Sequence, residues 1–254
     1  MTDEVLIDRD NGVMIITINR PEAKNAINLA VAEQIAAALD ALDAEDDMRV
    51  AILTGAGGSF CAGMDLKAFV RGENPFVPGR GFGGMAEKSS DKPLIAAVEG
   101  YALAGGLEIA IACDLILAAD NSAFGIPEVK RGLVAGAGGV FRLPRQISPR
   151  VALELGLTGD FIDAQRAFDL GLINSIHPAG SVLDAAKALA AKIAANGPLA
   201  VKVTKQVMLS QADWSTEELF AKQQPYLNPV FASEDAIEGA TAFAEKRAPV
   251  WKGR

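Results

Sequence analysis

Leu94-Ile95-Ala96-Ala97-Val98-Glu99-Gly100-Tyr101-Ala102-Leu103-Ala104-Gly105-Gly106-Leu107-Glu108-Ile109-Ala110-Ile111-Ala112-Cys113-Asp114-Leu115-Ile116-Leu117-Ala118 decides the fold. Residues 94–98 are a short apolar run after Pro93, which reads as a buried strand. Gly105-Gly106 opens a helix over 105–112, and 115–118 reads as a second strand. Glu99, Glu108 and Asp114 interrupt this apolar stretch, so it is no membrane span. Strand, glycine-rich turn, helix, strand is the grammar of an α/β layer.

The pattern extends in both directions. Upstream, 4–9 and 13–19 alternate as strands around Asp10-Asn11-Gly12, whose Asn-Gly supplies the positive φ of a tight hairpin. Asn28 fits the N-cap of a helix over 29–46 with Val31, Ile35, Ala38, Leu39 and Leu42 on one face. Residues 50–54 read as a buried strand, 65–70 as the start of a helix, and the Gly- and Pro-rich 72–84 as an irregular binding or lid loop. Downstream come a short strand over 123–126, helices over 137–146, 149–156 and 163–169, and a strand over 172–176. After Ser181 the pattern is helical, over 182–195, 199–211, 215–224 and 233–247. The chain therefore divides into an α/β core over 1–196 and a helical C-terminal subdomain over 197–254, parted at Asn196-Gly197-Pro198.

Composition narrows the function. The 254 residues are 50% hydrophobic and 22% charged, enough for a substantial core. A net charge of −8, with only 11 Phe, 2 Tyr and 2 Trp, argues against nucleic acid or an anionic membrane as partner. Two separated cysteines, Cys61 and Cys113, and an acidic start fit a soluble cytoplasmic protein. A single histidine, His177, excludes multi-histidine metal sites, and its Ile-His-Pro context reads as a loop. No metal site is expected. The one G-x-G-x-x-G match, Gly79 to Gly84, follows a Pro-rich loop rather than a strand, the wrong setting for a dinucleotide.

Two glutamates carry the candidate chemistry. Glu108 sits among small apolar residues, and Glu128 follows Phe124-Gly125-Ile126-Pro127. From spacing alone, Glu108 also fits a first-turn glutamate favoured by the helix dipole, and Glu128 a residue after a helix-starting proline. A buried carboxylate has a raised pKa, and two sharing a site separate into an acid and a base. Gly105-Gly106 leaves free helix-start amides, the arrangement that stabilises an oxyanion. The turn from Ser59 to Leu66 is a second source of backbone donors, with Asp65 reading as a helix N-cap rather than a catalyst. A glycosidase also uses two carboxylates, but the scarcity of aromatics for sugar stacking counts against it.

These residues also carry a family resemblance. Phe60-Cys61-Ala62-Gly63-Met64-Asp65-Leu66 resembles the F-x-A-G-x-D-L segment of the enoyl-CoA hydratase/isomerase (crotonase) superfamily. The stretch 95–115 resembles its second signature, and 124–142, with Pro127-Glu128 and Gly136-Ala137-Gly138-Gly139, its third. Asn19 to Ala26 and Phe243-Ala244-Glu245-Lys246-Arg247 match its terminal motifs. The resemblance implies a crotonase-like spiral of strand–strand–helix units with a helical trimerisation region, as a homotrimer or dimer of trimers. It implies that Glu108 and Glu128 hold one water, and that the amides of Ala62 and Gly105 hold a thioester oxygen. It places Ala23, Lys24 and Ala26, the segment Ala62, Gly63, Met64, Asp65 and Leu66, and a neighbouring subunit's Phe243 and Lys246 against an acyl-CoA. No separate cofactor is implied, because coenzyme A is part of the substrate. Family isomerases that use one glutamate keep the second position only, so both together favour a hydratase acting on 2-enoyl-CoA. The alternatives are another enolate reaction, such as isomerisation or the specialised dehydration of a carnitinyl-CoA, and non-catalytic acyl-CoA binding. A basic tail, with Lys246, Arg247, Lys252 and Arg254, is expected to meet the CoA phosphates. Glu99, Ala104, Leu107, Lys130-Arg131 and Ala135 depart from the family pattern beside the acyl pocket.

Overall fold

A computed structural model describes residues 3–254. Its strands are β1 (Val5–Asp10), β2 (Val13–Ile18), β3 (Val50–Gly55), β4 (Phe76–Val77), β5 (Gly81–Phe82), β6 (Leu94–Val98), β7 (Tyr101–Leu103), β8 (Leu115–Ala119), β9 (Ala123–Gly125), β10 (Ile162–Asp163) and β11 (Ser175–His177). Its α-helices are α1 (Leu29–Ala44), α2 (Leu66–Val70), α3 (Gly105–Ala110), α4 (Gly139–Gln146), α5 (Pro149–Thr158), α6 (Ala164–Asp169), α7 (Val182–Ala194), α8 (Pro198–Ser210), α9 (Leu219–Phe231) and α10 (Glu234–Glu245).

The main sheet runs β1-β2-β3-β6-β8-β11, with the β1–β2 hairpin antiparallel and the remaining pairs parallel. Asn11 and Gly12 both take positive φ, 49° and 79°, which matches the hairpin turn to the strand twist. Period-two alternation assigns each strand residue to a face. Met14, Ile16, Leu53, Ala96 and Ile116 join the large core that includes α1 and α3. Val13, Ile15, Ile52, Ile95 and Leu117 pack beneath Val182, Ala186 and Ala190 of α7 on the other face. A second sheet, β10-β9-β7, stands beside the first. Asn28 caps α1 as expected, its side chain accepting from the Val31 amide at 2.9 Å.

Several expectations are corrected. The loop over 72–84 is not wholly irregular: β4 and β5 form a small hairpin closed by a Phe76–Phe82 edge-to-face contact at 5.6 Å. The last strand of the main sheet lies at 175–177 rather than 172–176, because its parallel register on Leu117–Ala119 is set there. His177 is thus a strand residue rather than a loop residue, its ring against the Ser175 hydroxyl at 2.8 Å. The helix expected over 215–224 runs instead over Leu219–Phe231, through Pro225 and Pro229. Those prolines stand one turn apart, so both missing donors fall on one face. Gly84 of the G-x-G-x-x-G match packs against α1, where a β-carbon would lie 2.1 Å from the Ala32 carbonyl.

Contacts cross the expected boundary at 196/197. Lys205 of α8 reaches Asp114 at 2.7 Å and also donates to the carbonyls of Ser90 and Lys92. Only 10% and 19% of the two side chains is exposed, and the Asp114 carboxylate also accepts from the Leu94 amide. Burial raises the Asp114 pKa, and Lys205 opposes that rise. Lys205→Met strands a buried carboxylate, so urea unfolding should show a loss of about 3 kcal/mol. Adding Asp114→Asn to that variant should recover part of the loss, since the orphaned charge is then gone.

Candidate active site

The segment 59–65 is pinned on two sides. Cys61 bridges Ala102 in parallel fashion, its amide donating to Tyr101 and its carbonyl accepting from Leu103. Met64 bridges Ile27, using the carbonyl of Gly63 and the amide of Asp65. In a parallel bridge the central residue's own N–H points away from the partner, so the Met64 amide is left over. It meets no acceptor among the described residues, and Met64 lines a cavity of about 430 Å³.

Gly105 lines the same cavity as the first residue of α3, where a helix amide has no intrahelical acceptor. Ala104 before it is held at φ 52° and ψ −129°, an unusual conformation for alanine that turns the chain into the helix. The two amides belong to touching segments: a β-carbon on Gly63 would lie 3.2 Å from the Gly105 nitrogen and 2.8 Å from the Ala104 β-carbon. Glycine at 106 is equally required, since a β-carbon there would sit 2.1 Å from the Cys61 carbonyl.

The expected donor pair is corrected here. The Ala62 amide donates to the Lys24 carbonyl at 3.0 Å and is not free for a ligand, although Ala62 lines the cavity. Gly63, at φ 102°, reverses the chain between them, so the free donor falls at Met64. Asp65 is also occupied: one carboxylate oxygen caps α2 by accepting from Lys67 and Ala68, and the other takes Arg20 at 2.9 Å. Hydrogen bonds and the Arg20 charge together outweigh the opposing burial and hold its pKa below the usual carboxylate range.

Both glutamates reach this cavity. Glu108, in the first turn of α3, is only 3% exposed and accepts from the Gly139 amide at 2.8 Å. Burial pushes its pKa up to about 7; Glu128 adds to the rise, while the backbone of Gly139 and Ala137 and the charge of Arg142 oppose it. Glu128 sits in the 3-10 turn Pro127–Arg131, directly after β9, where the proline fixes the turn. Burial raises its pKa as well, and one of its carboxylate oxygens is buried with no hydrogen-bond partner. Such an oxygen awaits a polar ligand.

The rest of the wall is apolar. Leu66, Phe69, Phe76, Phe82, Leu133, Val134 and Phe161 line it, with Asn74, Lys130 and Arg131 as polar members. The Phe82 ring lies against Gly105, where an added β-carbon would approach it to 2.5 Å. No local pattern marked the phenylalanines: Phe69, Phe76 and Phe82 come from α2, β4 and β5, and Phe161 lies 79 positions later.

Ala23, Lys24, Ala26, Gly63 and Asp65 are not part of the wall, nor are Phe243 and Lys246 of α10. Lys24 lies 4.8 Å over the Tyr101 ring, and Phe243 is 88% exposed. The basic tail is largely neutralised: Arg247 pairs with Glu238 and Glu245, and Lys252 and Arg254 both pair with Glu234. Of the expected tail cations, Lys246 alone forms no ion pair among the described residues. No three His, Cys, Asp or Glu side chains there converge as a metal site.

The model of a family described as enoyl-CoA hydratase/isomerase matches residues 8–254. The chain belongs to the enoyl-CoA hydratase/isomerase family. Its α/β fold is the crotonase fold expected from the sequence. An enoyl-CoA hydratase from Mycobacterium tuberculosis H37Rv superposes with a TM-score of 0.98 at 60% identity, covering 99% of this chain and 100% of that one. A carnitinyl-CoA hydratase from Mycobacterium avium superposes at 0.80 with 45% identity, covering 100% of both chains. Carnitinyl-CoA dehydratase of Escherichia coli (strain K12) is 40% identical over 266 residues, covering 100% of both.

Two outcomes test this site. Glu108 binds its proton more tightly in the folded chain, so the stability this group contributes is full below about pH 4.5 and lost as pH rises through about 7. Glu108→Gln should therefore unfold like the wild type near pH 4.5 but be more stable by ~3 kcal/mol at pH 8, read from urea melts at the two pH values. Amide-to-ester replacement separates the two backbone donors. Deleting the Met64 N–H should lower turnover by about 100-fold or more, whereas deleting the Ala62 N–H should chiefly lower stability, by about 1 kcal/mol.

Proposed function

We propose that this family member is a hydro-lyase acting on a 2-enoyl-CoA, adding water reversibly across its 2,3 double bond. The observation that carries this reading is the convergence of Glu108 and Glu128 on one cavity beside the unbonded amides of Met64 and Gly105.

Attack of water on Cβ of a conjugated thioester pushes electron density onto the carbonyl oxygen. Two amides already oriented in an apolar cavity stabilise that oxygen more in the enolate than in the substrate, which is what lowers the barrier. Glu108, poised near neutrality, orients the water and takes its proton as oxygen bonds to Cβ. Glu128, whose hold on a proton is strengthened by burial, delivers a proton to Cα. The pair is coupled, so the two steps share one titration. Run backwards, the same groups expel water, which makes dehydration of a 3-hydroxyacyl-CoA the same chemistry. The names of the relatives, hydratase and dehydratase, fit this reversible reading, and a carnitinyl-type acyl group is the second reading they support.

Coenzyme A enters as part of the substrate, with no separate cofactor. Ala23, Lys24, Ala26 and Leu66 bracket it at the cavity mouth in this reading. Phe243 and Lys246 serve the site of a neighbouring copy in a homotrimer or dimer of trimers. The exposed Phe220, Phe231, Ile237 and Phe243 of α9 and α10 support such an assembly. Among the described residues no helix is long and apolar enough to cross a membrane, and buried Cys61 and Cys113 suit a cytoplasmic setting.

The assay follows the conjugated thioester absorbance of crotonyl-CoA and a longer 2-enoyl-CoA. Hydration abolishes the band, whereas an isomerase would create it from a 3-enoyl-CoA and a mere binder would leave it alone. Glu108→Gln and Glu128→Gln should each slow hydration by about 1,000-fold while keeping CoA-ester binding. Near-normal turnover in either variant rejects the two-carboxylate mechanism.

A further inference from the structure

Among the described residues, Arg142 is a half-buried cation with no carboxylate in ion-pair contact. On α4, one turn after Gly139, its Nη1 donates to the Ala137 carbonyl at 3.3 Å and its Nη2 to the Ala86 carbonyl at 2.6 Å. The guanidinium lies flush against Gly138, where a β-carbon would approach Nη1 to 2.2 Å. Gly138 at φ 112° begins α4, and the next residue, Gly139, donates to Glu108. Arg142 thus grips two pieces at once: the end of the β5 loop at Ala86 and the 137–138 turn, which leads directly into the Gly139 amide that meets Glu108.

We propose that Arg142 is a positioning residue for the general base, clamping the Ala137–Gly139 turn so that its amide meets Glu108 while supplying a fixed positive charge that favours the ionised carboxylate. This rests on the reading of Glu108 as the base. A burial-dominated carboxylate needs compensation to be available near neutrality, and a cation kept from a competing carboxylate is free to provide it. The charged groups bearing on Glu108 are Glu128, from the turn after β9, and Arg142, from α4; their effects oppose. Reciprocally, burial lowers the Arg142 pKa, and the Glu108 charge opposes that fall. Arg145, on the same helix, is exposed, and Glu87, after Ala86, is exposed too.

The test uses Arg142→Gln, which keeps donors but drops the charge, Arg142→Met, which drops both, and Arg142→Lys, which keeps the charge. Carbon-13 glutamate labelling, with Glu108→Gln to assign the signal, reads the Glu108 titration in the free protein. Gln and Met should each raise the Glu108 pKa by about half a unit to one unit, and Lys should return it to the wild-type position. The acidic limb of the kcat/KM profile for enoyl-CoA hydration should move by the same amount, with the rate loss of the Gln variant shrinking above that limb. If Met fails to fold, Gln against Lys decides. An unmoved Glu108 titration in the Gln variant, or a Lys variant shifted as far as Gln, overturns the proposal. A wild type that titrates as described but hydrates no enoyl-CoA would reject the functional reading and leave the Arg142 result to stand on the titration.

Discussion

A carboxylate driven into the interior of an apolar helix start is the constraint around which this molecule is arranged. Left alone, Glu108 would simply protonate and remain inert. The hydrogen bond it accepts from Gly139 comes from the first turn of another helix, so α3 and α4 must meet at a defined angle for that contact to form. That meeting depends on close backbone approach. Gly106 lets α3 lie on the Cys61 carbonyl, and Gly139 itself has no room for a side chain, since a β-carbon there would come within 2.9 Å of Ala135 and 3.1 Å of the Glu108 carboxylate. The local glycine content therefore follows from the need to hold one acid in place.

The same crowding sets the donors. The segment 59–65 is tied to Ile27 on one side and Ala102 on the other, so its amides have no freedom to choose partners. The amides of Phe60, Cys61, Ala62 and Asp65 are consumed by neighbouring segments, and that of Met64 is left at the cavity wall. A cavity with unbonded amides at its wall is ordinarily unfavourable. It persists because the surrounding bridges fix the backbone too firmly for it to collapse onto an internal acceptor.

How much of this the sequence disclosed depends on the range of the interaction concerned. The main sheet was legible because alternation is local: Val13 and Met14 fall on opposite faces whatever the rest of the chain does. The Asn11-Gly12 turn and the Asn28 cap were legible for the same reason. Glu108 and Glu128 stood out as charges in apolar surroundings, and Gly105 as a helix-opening glycine. Ala62 was mistaken for the free donor because the acceptor that consumes its amide, the Lys24 carbonyl, is 38 positions earlier in the chain and visible only once folded. The ion pairs of the basic tail were hidden likewise: Glu234 and Glu238, which take Arg247, Lys252 and Arg254, sit earlier on α10. The β4–β5 hairpin was hidden because its stability comes from Phe82 packing on Gly105 rather than from strand propensity.

The polar machinery and the apolar wall come from different parts of the chain, and this separation has a chemical consequence. Glu108, Glu128, Met64 and Gly105 are fixed by helix starts, a proline turn and β-bridges, all of them rigid devices. The wall is contributed by Phe69, Phe76 and Phe161 on exposed segments and by Phe82 on a two-residue strand. Substitutions in the rigid set disturb the backbone contacts that hold the carboxylates, whereas a change at Phe76 alters the shape of the cavity without touching them. The backbone contacts that hold the two carboxylates and the free amides are therefore hard to change in this fold, while the shape of the apolar wall is easy to change. The wall can vary through α2, the β4–β5 hairpin and the segment around Phe161 while the carboxylates and amides stay where the backbone fixes them.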